Sequence, residues 1–325
     1  MKSTAVAPSN IAFIKYWGKK NEQLRLPENA SISMNLSNLF TTTTVEFSAN
    51  YKEDSIEIDG IKESNGENRA IQHLDRVRKM ANLSFKAKVV TKNNFPVGTG
   101  LSSSASGFAA LTLAGVSAAG LKLSEKELSI LARQGSGSAC RSIPDGFVEW
   151  LDGSTSDTSY ALSLYPPNYW DILDVIAIVS AEKKDVSSTE GQKFITSSPF
   201  FKTRLSHIGE KIFLVKRLLK EKNFLKFGKL IEAEALELHA IMLTSQPSLI
   251  YWTSGTLELM KLVKRWRVKG LSVYFTINTG QDIHLIIENK NLDPLLRKLR
   301  EIKFIQKIVI NRPSVGARLT HEHLF

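Results

Sequence analysis

Pro96-Val97-Gly98-Thr99-Gly100-Leu101-Ser102-Ser103-Ser104-Ala105-Ser106 is the stretch whose reading decides the fold. It follows an alternating, strand-like segment (84–91, SFKAKVVT) and a turn at Asn93-Asn94-Phe95-Pro96. After it comes a run of small residues, SASGFAALTLAGVSAAG (104–120), that reads as a helix able to pack closely on a sheet. A loop so placed offers successive backbone N–H groups and the positive end of a helix to an anion. Glycines let the backbone approach that anion, and serine hydroxyls can donate to phosphate oxygens or bind a magnesium ion. Two commoner nucleotide motifs do not fit. The loop lacks the Gly-Lys-Ser/Thr ending of a Walker A site, and Ser103 stands where a dinucleotide fingerprint wants its third glycine. Taken alone, such a loop is also an ordinary turn and helix cap.

Upstream, residues 32–49 (ISMNLSNLFTTTTVEFSA) and 55–59 (SIEID) read as antiparallel strands, with a helix between them and the loop at 67–80. Downstream, SEKELSILARQ (124–134) opens with Ser124 and Glu127 in the spacing of a capping box. The apolar run LDVIAIVSA (173–181) suits a buried strand, and the polar segment 182–198 after it predicts a boundary, giving lobes of 1–182 and 183–325. Helical segments follow near 202–222, 224–243 and 255–269. Strand-like 272–278 and 282–288 flank Thr279-Gly280-Gln281, and KIVINR (307–312) closes the pattern. Strands and helices mixed without regular alternation indicate an α+β fold in two lobes.

At 325 residues, 42% hydrophobic and 23% charged, the chain can bury a large core. It holds no apolar run of transmembrane length, and MKSTAVAPSNIAF lacks the layout of a secretory signal, so a cytosolic protein is expected. The single Cys140 can form no internal disulfide and reads as a packing residue. The net charge of +11 is unevenly spread: residues 183–325 carry 25 Lys and Arg against 13 Asp and Glu (+12), residues 1–182 carry 18 against 19 (−1). Much of the excess lies in helix-like segments such as 211–230, where lysines flank an apolar stripe as on a solvated face. Such a surface also steers polyanionic substrates. A nucleotide- or RNA-binding relic of an enzyme fold stays open as a rival, although no zinc-finger spacing or RNP-like motif accompanies the charge, and no nucleic-acid or membrane partner is expected.

The loop closely resembles the phosphate-binding motif of the GHMP kinase superfamily. Three further blocks resemble the diphosphomevalonate decarboxylases within it: Asn10 to Lys20 (NIAFIKYWGKK) with Leu26 to Ser33 (LPENASIS), Gly135 to Ser142 (GSGSACRS) and Gly146 to Trp150. Shorter matches, among them Ser187 to Gly191, Glu234-Ala235 and His239 to Leu243, extend the resemblance over nearly the whole chain. It implies a ribosomal-protein-like N-terminal lobe, a ferredoxin-like C-terminal lobe and a homodimer. The implied reaction uses ATP and magnesium to phosphorylate a tertiary hydroxyl, followed by loss of phosphate and carbon dioxide. Implied nucleotide-binding positions are Pro96, Gly98, Gly100, Leu101, Ser102, Ser103, Ser104 and Ser106, with the Ser104 hydroxyl toward magnesium. Implied substrate-binding positions are Tyr16, Lys19, Lys20, Ser136, Ser138 and Arg141, and Lys15 falls in the same block as a catalytic candidate. A small molecule carrying a diphosphate and a carboxylate needs several cations, and Arg141 can grip an oxyanion bidentately.

The match breaks at two points, one of them Ile143-Pro144-Asp145-Gly146, where the family usually has a bulky residue and two glycines. Where the family has an aspartate in a strand-end block resembling TFDAGPN, this chain reads Thr276-Ile277-Asn278-Thr279-Gly280-Gln281-Asp282. The amide of Asn278 cannot take a proton at neutral pH. Asp282, four residues on, and Asp145, in Ile143-Pro144-Asp145-Gly146, are the candidate replacement carboxylates. A mevalonate or phosphomevalonate kinase, or a phosphomevalonate decarboxylase, is the enzyme alternative. His239 and His284 are expected to serve structure, as is the turn at Pro313 to Gly316.

Overall fold

The computed structural model describes residues 1–63, 69–96, 100–180, 182 and 184–325. The chain runs β1 (Lys2–Ile14), β2 (Lys19–Asn21), β3 (Leu26–Pro27), β4 (Ser31–Ser48), β5 (Ser55–Ile58), β6 (Ile61–Lys62), α1 (Arg69–Ala81), β7 (Lys86–Asn93), α2 (Ser103–Ala118), α3 (Glu125–Gly135), β8 (Phe147–Trp150) and β9 (Ala161–Tyr165). It continues through β10 (Ile172–Ile178), α4 (Ser188–Gly191), α5 (Phe201–Glu221), α6 (Phe224–Thr244), α7 (Ser254–Val268), β11 (Val273–Thr276), β12 (Ile283–Glu288), α8 (Leu292–Arg300), β13 (Lys307–Asn311) and β14 (Arg318–Thr320). This is the α+β mixture expected. Among the described residues no helix is long and apolar enough to cross a membrane.

The first sheet is ordered β14-β1-β4-β7-β5-β6, with β8 and β9 carrying it on from the start of β4. Four consecutive threonines, Thr41 to Thr44, suit β4 because branched side chains pack well on a pleated surface. Their hydroxyls find partners across the ladder, Thr43 with Thr91 at 3.0 Å and Thr44 with Thr4 at 2.7 Å. Helix α2 lies on this sheet through Ala105, Ala109, Ala110 and Ala114, all fully buried. Small side chains let its axis approach closely, so its N-terminus sits at a fixed place above the strand ends. Ser124 caps α3 in the predicted capping box with Glu127.

The second sheet, β11-β12-β10-β13, is antiparallel throughout. Its strand β10 is buried along its whole length. Leu173, Val175 and Ala177 join Leu259, Val263, Leu295 and Leu299 of α7 and α8, while Ile172, Ile176 and Ile178 face Val215, Phe227 and Ile231 of α5 and α6. Alternate residues of a strand point to opposite faces, so a strand covered on both reads as an unbroken apolar run. This corrects the expected division at residue 182: β10 already belongs to the second sheet, and the chain changes sheets between β9 and β10. It returns at its end, where Thr4, Ala5 and Val6 of β1 pair with Thr320, Leu319 and Arg318 of β14.

The two sheets share an apolar core. Ile11 and Phe13 of β1 and Ile32 and Met34 of β4 pack in one cluster with Ile176, Phe227 and Tyr274. Phe13 meets Phe227 edge-on at 4.9 Å. That contact packs the end of β1 against α6, and the site lies beside it, where the end of β1, the N-terminus of α2 and the loop after β11 line one cavity.

Candidate active site

A cavity of about 230 Å³ opens where these three segments meet. Its walls include Lys15, Tyr16, Arg25, Arg69, Gly100, Ser102, Ser103, Ser104, Ser136, Ser138, Arg141, Lys184, Asn278 and Thr279. Among the described lining residues five are cations and none is Asp or Glu. None of the five forms an ion pair with a carboxylate of the described residues, so the charge of Arg25, Arg69, Arg141 and Lys184 is available to a bound anion.

The anion-binding loop is held by backbone contact. Gly100 has φ +108°, and a Cβ built on it would lie 2.5 Å from the Gly280 Cα. Only glycine permits that conformation and that approach. Ser102, the residue before α2, is left-handed (φ 61°) and makes no side-chain cap, so its hydroxyl is free of the helix it precedes. Ser103 and Ser104 face the cavity, and the Ser136 hydroxyl reaches Ser104 Oγ at 3.4 Å. Two neighbours in the motif do other work. Leu101 is buried in the shared core, and the Ser106 hydroxyl pairs with Thr41 Oγ1 at 2.6 Å under the helix. Pro96 lies outside the cavity lining, and Gly98 lies outside the described residues.

On the opposite wall, Tyr16 stacks edge-on against Trp150 at 4.6 Å and lies across Gly137, where a Cβ would come 2.7 Å from its ring. Arg141 is buried, donating to Ser31 Oγ (2.8 Å) and Asn10 Oδ1 (3.0 Å), while its Nε has no partner. Burial lowers its pKa. Arg25 and Arg69 approach the same wall through the carbonyls of Gln134 (3.1 Å) and Gly135 (2.9 Å). Beside the loop, Lys184 donates to Ser188 Oγ (2.8 Å) and the Thr279 carbonyl (2.9 Å), and burial brings its pKa down to about 8. Arg25, Arg69 and Lys184 escape a reading of motifs because they come from a hairpin turn, a helix start and a polar connection. The only sequence signal is Lys184 standing just before the Ser187 to Gly191 block.

Lys15 occupies the floor. Its Nζ donates to the Ala12 carbonyl (2.6 Å) and Asn278 Oδ1 (3.3 Å). Burial carries its pKa down to about 7, with Glu234 opposing and Arg141 and Arg204 assisting. Asn278 is fixed on every side: Oδ1 also accepts from Ala12 N (3.4 Å), and Nδ2 donates to Ser102 Oγ (2.9 Å) and the Asn10 carbonyl (3.4 Å). His239, stacked on Trp252 at 4.6 Å, holds the Asn278 carbonyl from behind through Nε2 at 2.9 Å.

Four further sequence candidates fall outside the cavity. Asp145 Oδ1 accepts from Gly316 N (2.7 Å) and pairs with Arg318, which ties its loop to the C-terminal turn. Asp282 turns inward to accept from Val179 N (3.0 Å), and burial raises its carboxyl to about 6. With Gly280 and Gln281 between them, Asn278 and Asp282 point to different places. Lys19 pairs with Glu22, and Lys20 is exposed on β2. Neither carboxylate lines the cavity, and each is bonded within a loop.

The family comparisons agree over both lobes. Residues 7–161 match the model described as diphosphomevalonate decarboxylase-like N-terminal domain, and residues 174–315 match the mevalonate 5-diphosphate decarboxylase C-terminal domain. The diphosphomevalonate decarboxylase of Candida albicans is 35% identical over 315 residues, covering 91% of this chain and 87% of that protein. The human one is 36% identical over 300 residues, covering 85% and 74%. A solved mevalonate diphosphate decarboxylase from Enterococcus faecalis superposes with a TM-score of 0.91 at 38% identity, covering 98% of this chain and 99% of that one. A structure described as MDDEF in complex with MVAPP, AMPPCP and magnesium gives 0.93 at 39% identity, with the same coverage. With both family models matched and relatives of this identity along most of its length, the chain belongs to the diphosphomevalonate decarboxylase family.

Proposed function

We propose that this site carries out the ATP-dependent decarboxylation of mevalonate 5-diphosphate to isopentenyl diphosphate, by way of phosphorylation at the tertiary hydroxyl. The observation that carries the reading is the cavity itself, with Arg25, Arg69, Arg141 and Lys184 free of ion pairs, the Lys15 amine on its floor, a serine-rich helix N-terminus and no acid in its described lining. Charge-assisted hydrogen bonds of this kind contribute about 1.5–3 kcal/mol each, and several are needed to hold a nucleotide and a diphosphate together. Arg25, Arg69, Tyr16, Ser136, Ser138 and Arg141 share one wall and are assigned to the substrate. Gly100, Ser102 to Ser104 and Lys184 share the other and are assigned to the nucleotide.

Magnesium fits this donor set in one way. With hydroxyls and no carboxylate in the described lining, it would rest mainly on phosphate oxygens, with Ser104 Oγ as its protein ligand. The chemistry it supplies when bound is charge neutralisation across the transferring phosphate. The chain's own task is positioning: it brings the hydroxyl in line with the γ-phosphorus. After transfer, phosphate leaves with its bonding electrons, the carbon to carboxylate bond breaks, and its electron pair forms the alkene. A cytosolic homodimer is part of the same proposal, read by light scattering and by fractionation.

The test is paired release of ADP and carbon dioxide with mevalonate, its 5-phosphate and its 5-diphosphate. Both products at equal rates from the diphosphate support the proposal. ADP without carbon dioxide from every substrate would leave a kinase.

A further inference from the structure

In phosphorylating a tertiary alcohol, the enzyme must dispose of the hydroxyl proton. The described lining of this cavity offers no carboxylate to take it. Asp145 and Asp282 are spent on loops, and Glu234 of α6 turns its oxygens to Arg204 and to the Lys15 backbone N–H at 3.1 Å. His239 is occupied too, since its Nε2–H is given to the Asn278 carbonyl.

We propose that the Lys15 amine accepts the hydroxyl proton during phosphoryl transfer, and that Asn278 is the positioning residue that turns its lone pair toward the cavity. The inference rests on the kinase step proposed above. The geometry accommodates the amine in its neutral form. Such a group has two hydrogens and one lone pair, and here two acceptors, the Ala12 carbonyl and Asn278 Oδ1, take the two hydrogens. In the deprotonated form the remaining direction belongs to the lone pair, and Lys15 lines the cavity.

Asn278 is built into this site as an amide. Its Nδ2 donates to the Asn10 carbonyl, which can only accept, and its Oδ1 accepts from Ala12 N, which can only donate. A carboxylate in the same pose would set oxygen against oxygen at Asn10 and would hold Lys15 as an ammonium. Donation from Nδ2 to Ser102 Oγ also leaves the Ser102 hydrogen free to bond a phosphate oxygen.

The charged and titratable groups facing Lys15 come from several elements: Glu234 and His239 of α6, Arg204 of α5, Asp174 of β10, and Arg141 after α3. Burial outweighs Glu234 and Asp174, and the amine is half protonated near pH 7. In the step itself, the bond from the alcohol oxygen to the γ-phosphorus forms. The bond from γ-phosphorus to the bridging oxygen breaks, with its electron pair leaving on ADP. The proton passes to Lys15 Nζ and makes it an ammonium.

Two measurements test this. The first is ADP release against pH, from 5.5 to 9.5, with saturating ATP, magnesium and mevalonate 5-diphosphate. In the unmodified enzyme the rate should rise through neutrality to a plateau, since the accepting form is the deprotonated one. Lys15→Met should lower the plateau by roughly 10²- to 10⁴-fold and abolish the neutral limb. Retention of that limb in Lys15→Met overturns the proposal. The second is competitive acylation of Lys15 by acetic anhydride, read by mass spectrometry on ligand-free protein. Half-reaction near neutrality is expected, moving up by a pH unit or more in Asn278→Asp. A midpoint near 10, or one that Asn278→Asp leaves in place, overturns it even if Lys15→Met does not fold. An enzyme that releases no ADP with any mevalonate compound would defeat the function proposed above, while the acylation result would stand by itself.

Discussion

Gly100 and Gly280 touch backbone to backbone, and that contact closes the phosphate loop onto the loop after β11. It links the two lobes at the point where a nucleotide would be held, so the first prediction is Gly100→Ala. The new methyl meets Cα of Gly280 at 2.5 Å, a backbone atom that cannot swing aside, and φ of +108° is itself costly for alanine, by about 1–3 kcal/mol. The expected result is a lower melting midpoint and an ATP dissociation constant raised at least about tenfold, or 1.4 kcal/mol. Calorimetry with the non-hydrolysable nucleotide reads both.

The second prediction concerns uncompensated charge. Cations held in a cavity without carboxylate partners repel one another and are relieved by any polyanion that fits. Inorganic pyrophosphate should therefore raise the melting midpoint of the ligand-free protein, with stabilisation near 2.7 kcal/mol at about one hundred times its dissociation constant. Added sodium chloride should weaken the effect by screening at the exposed mouth. Arg141→Gln should remove most of it, because the Arg141 Nε is a buried donor with no partner in the protein. An unchanged pyrophosphate response in that variant would place the anion elsewhere.

Much of this was legible in the sequence, and the parts that were not share a cause. The loop from Gly100 to Ser104, the small-residue helix α2, the Ser124 cap and the GSGSACRS wall are local patterns whose chemistry follows from neighbours along the chain. Strand β10 was recognisable as buried, but not as the first strand of the second sheet, because an apolar run does not say which sheet covers it. Arg25, Arg69 and Lys184 reach the cavity through tertiary folding of three separate segments, a turn, a helix start and a connection. Asp145 and Asp282 were plausible acids by position. Only the orientation of their side chains, toward Gly316 N and Val179 N, shows that each holds a loop.

That orientation gives the third prediction. Asp282→Asn keeps an oxygen for Val179 N and removes a charge that burial disfavours. The carboxyl titrates near 6 in the fold against an ordinary 3.8, so its contribution to stability is present below about pH 4 and is lost as pH rises through 6. At pH 8 the amide should raise the urea midpoint and leave turnover within about twofold. Asp145→Asn should likewise leave turnover within about twofold. A loss of turnover of the size general base removal causes, roughly 10²-fold or more, would restore either residue as the catalytic acid or base.

The fourth prediction is acid sensitivity carried by two histidines that no catalytic step uses. His239 is buried between Trp252 and the Asn278 carbonyl, and His73 is buried against Phe108 with Nε2 at 2.8 Å from Thr112 Oγ1. Burial lowers both to about 3 from an ordinary 6.5. Between those values the unfolded chain binds protons that the native state refuses, so stability is fully present above 6.5 and is lost as pH falls toward 3. At 1.36 kcal/mol per pH unit, each histidine should cost about 2 kcal/mol between pH 7 and pH 5. Asp282 opposes this in part, gaining as it protonates below 6. Urea unfolding of the wild type and of His239→Gln at the two pH values separates the contributions. The variant starts less stable, since it gives up the ring stack, but it should lose about 2 kcal/mol less on acidification. Equal losses would mean that His239 accepts a proton within the fold, and the Asn278 carbonyl would then be held by an imidazolium rather than by the neutral ring.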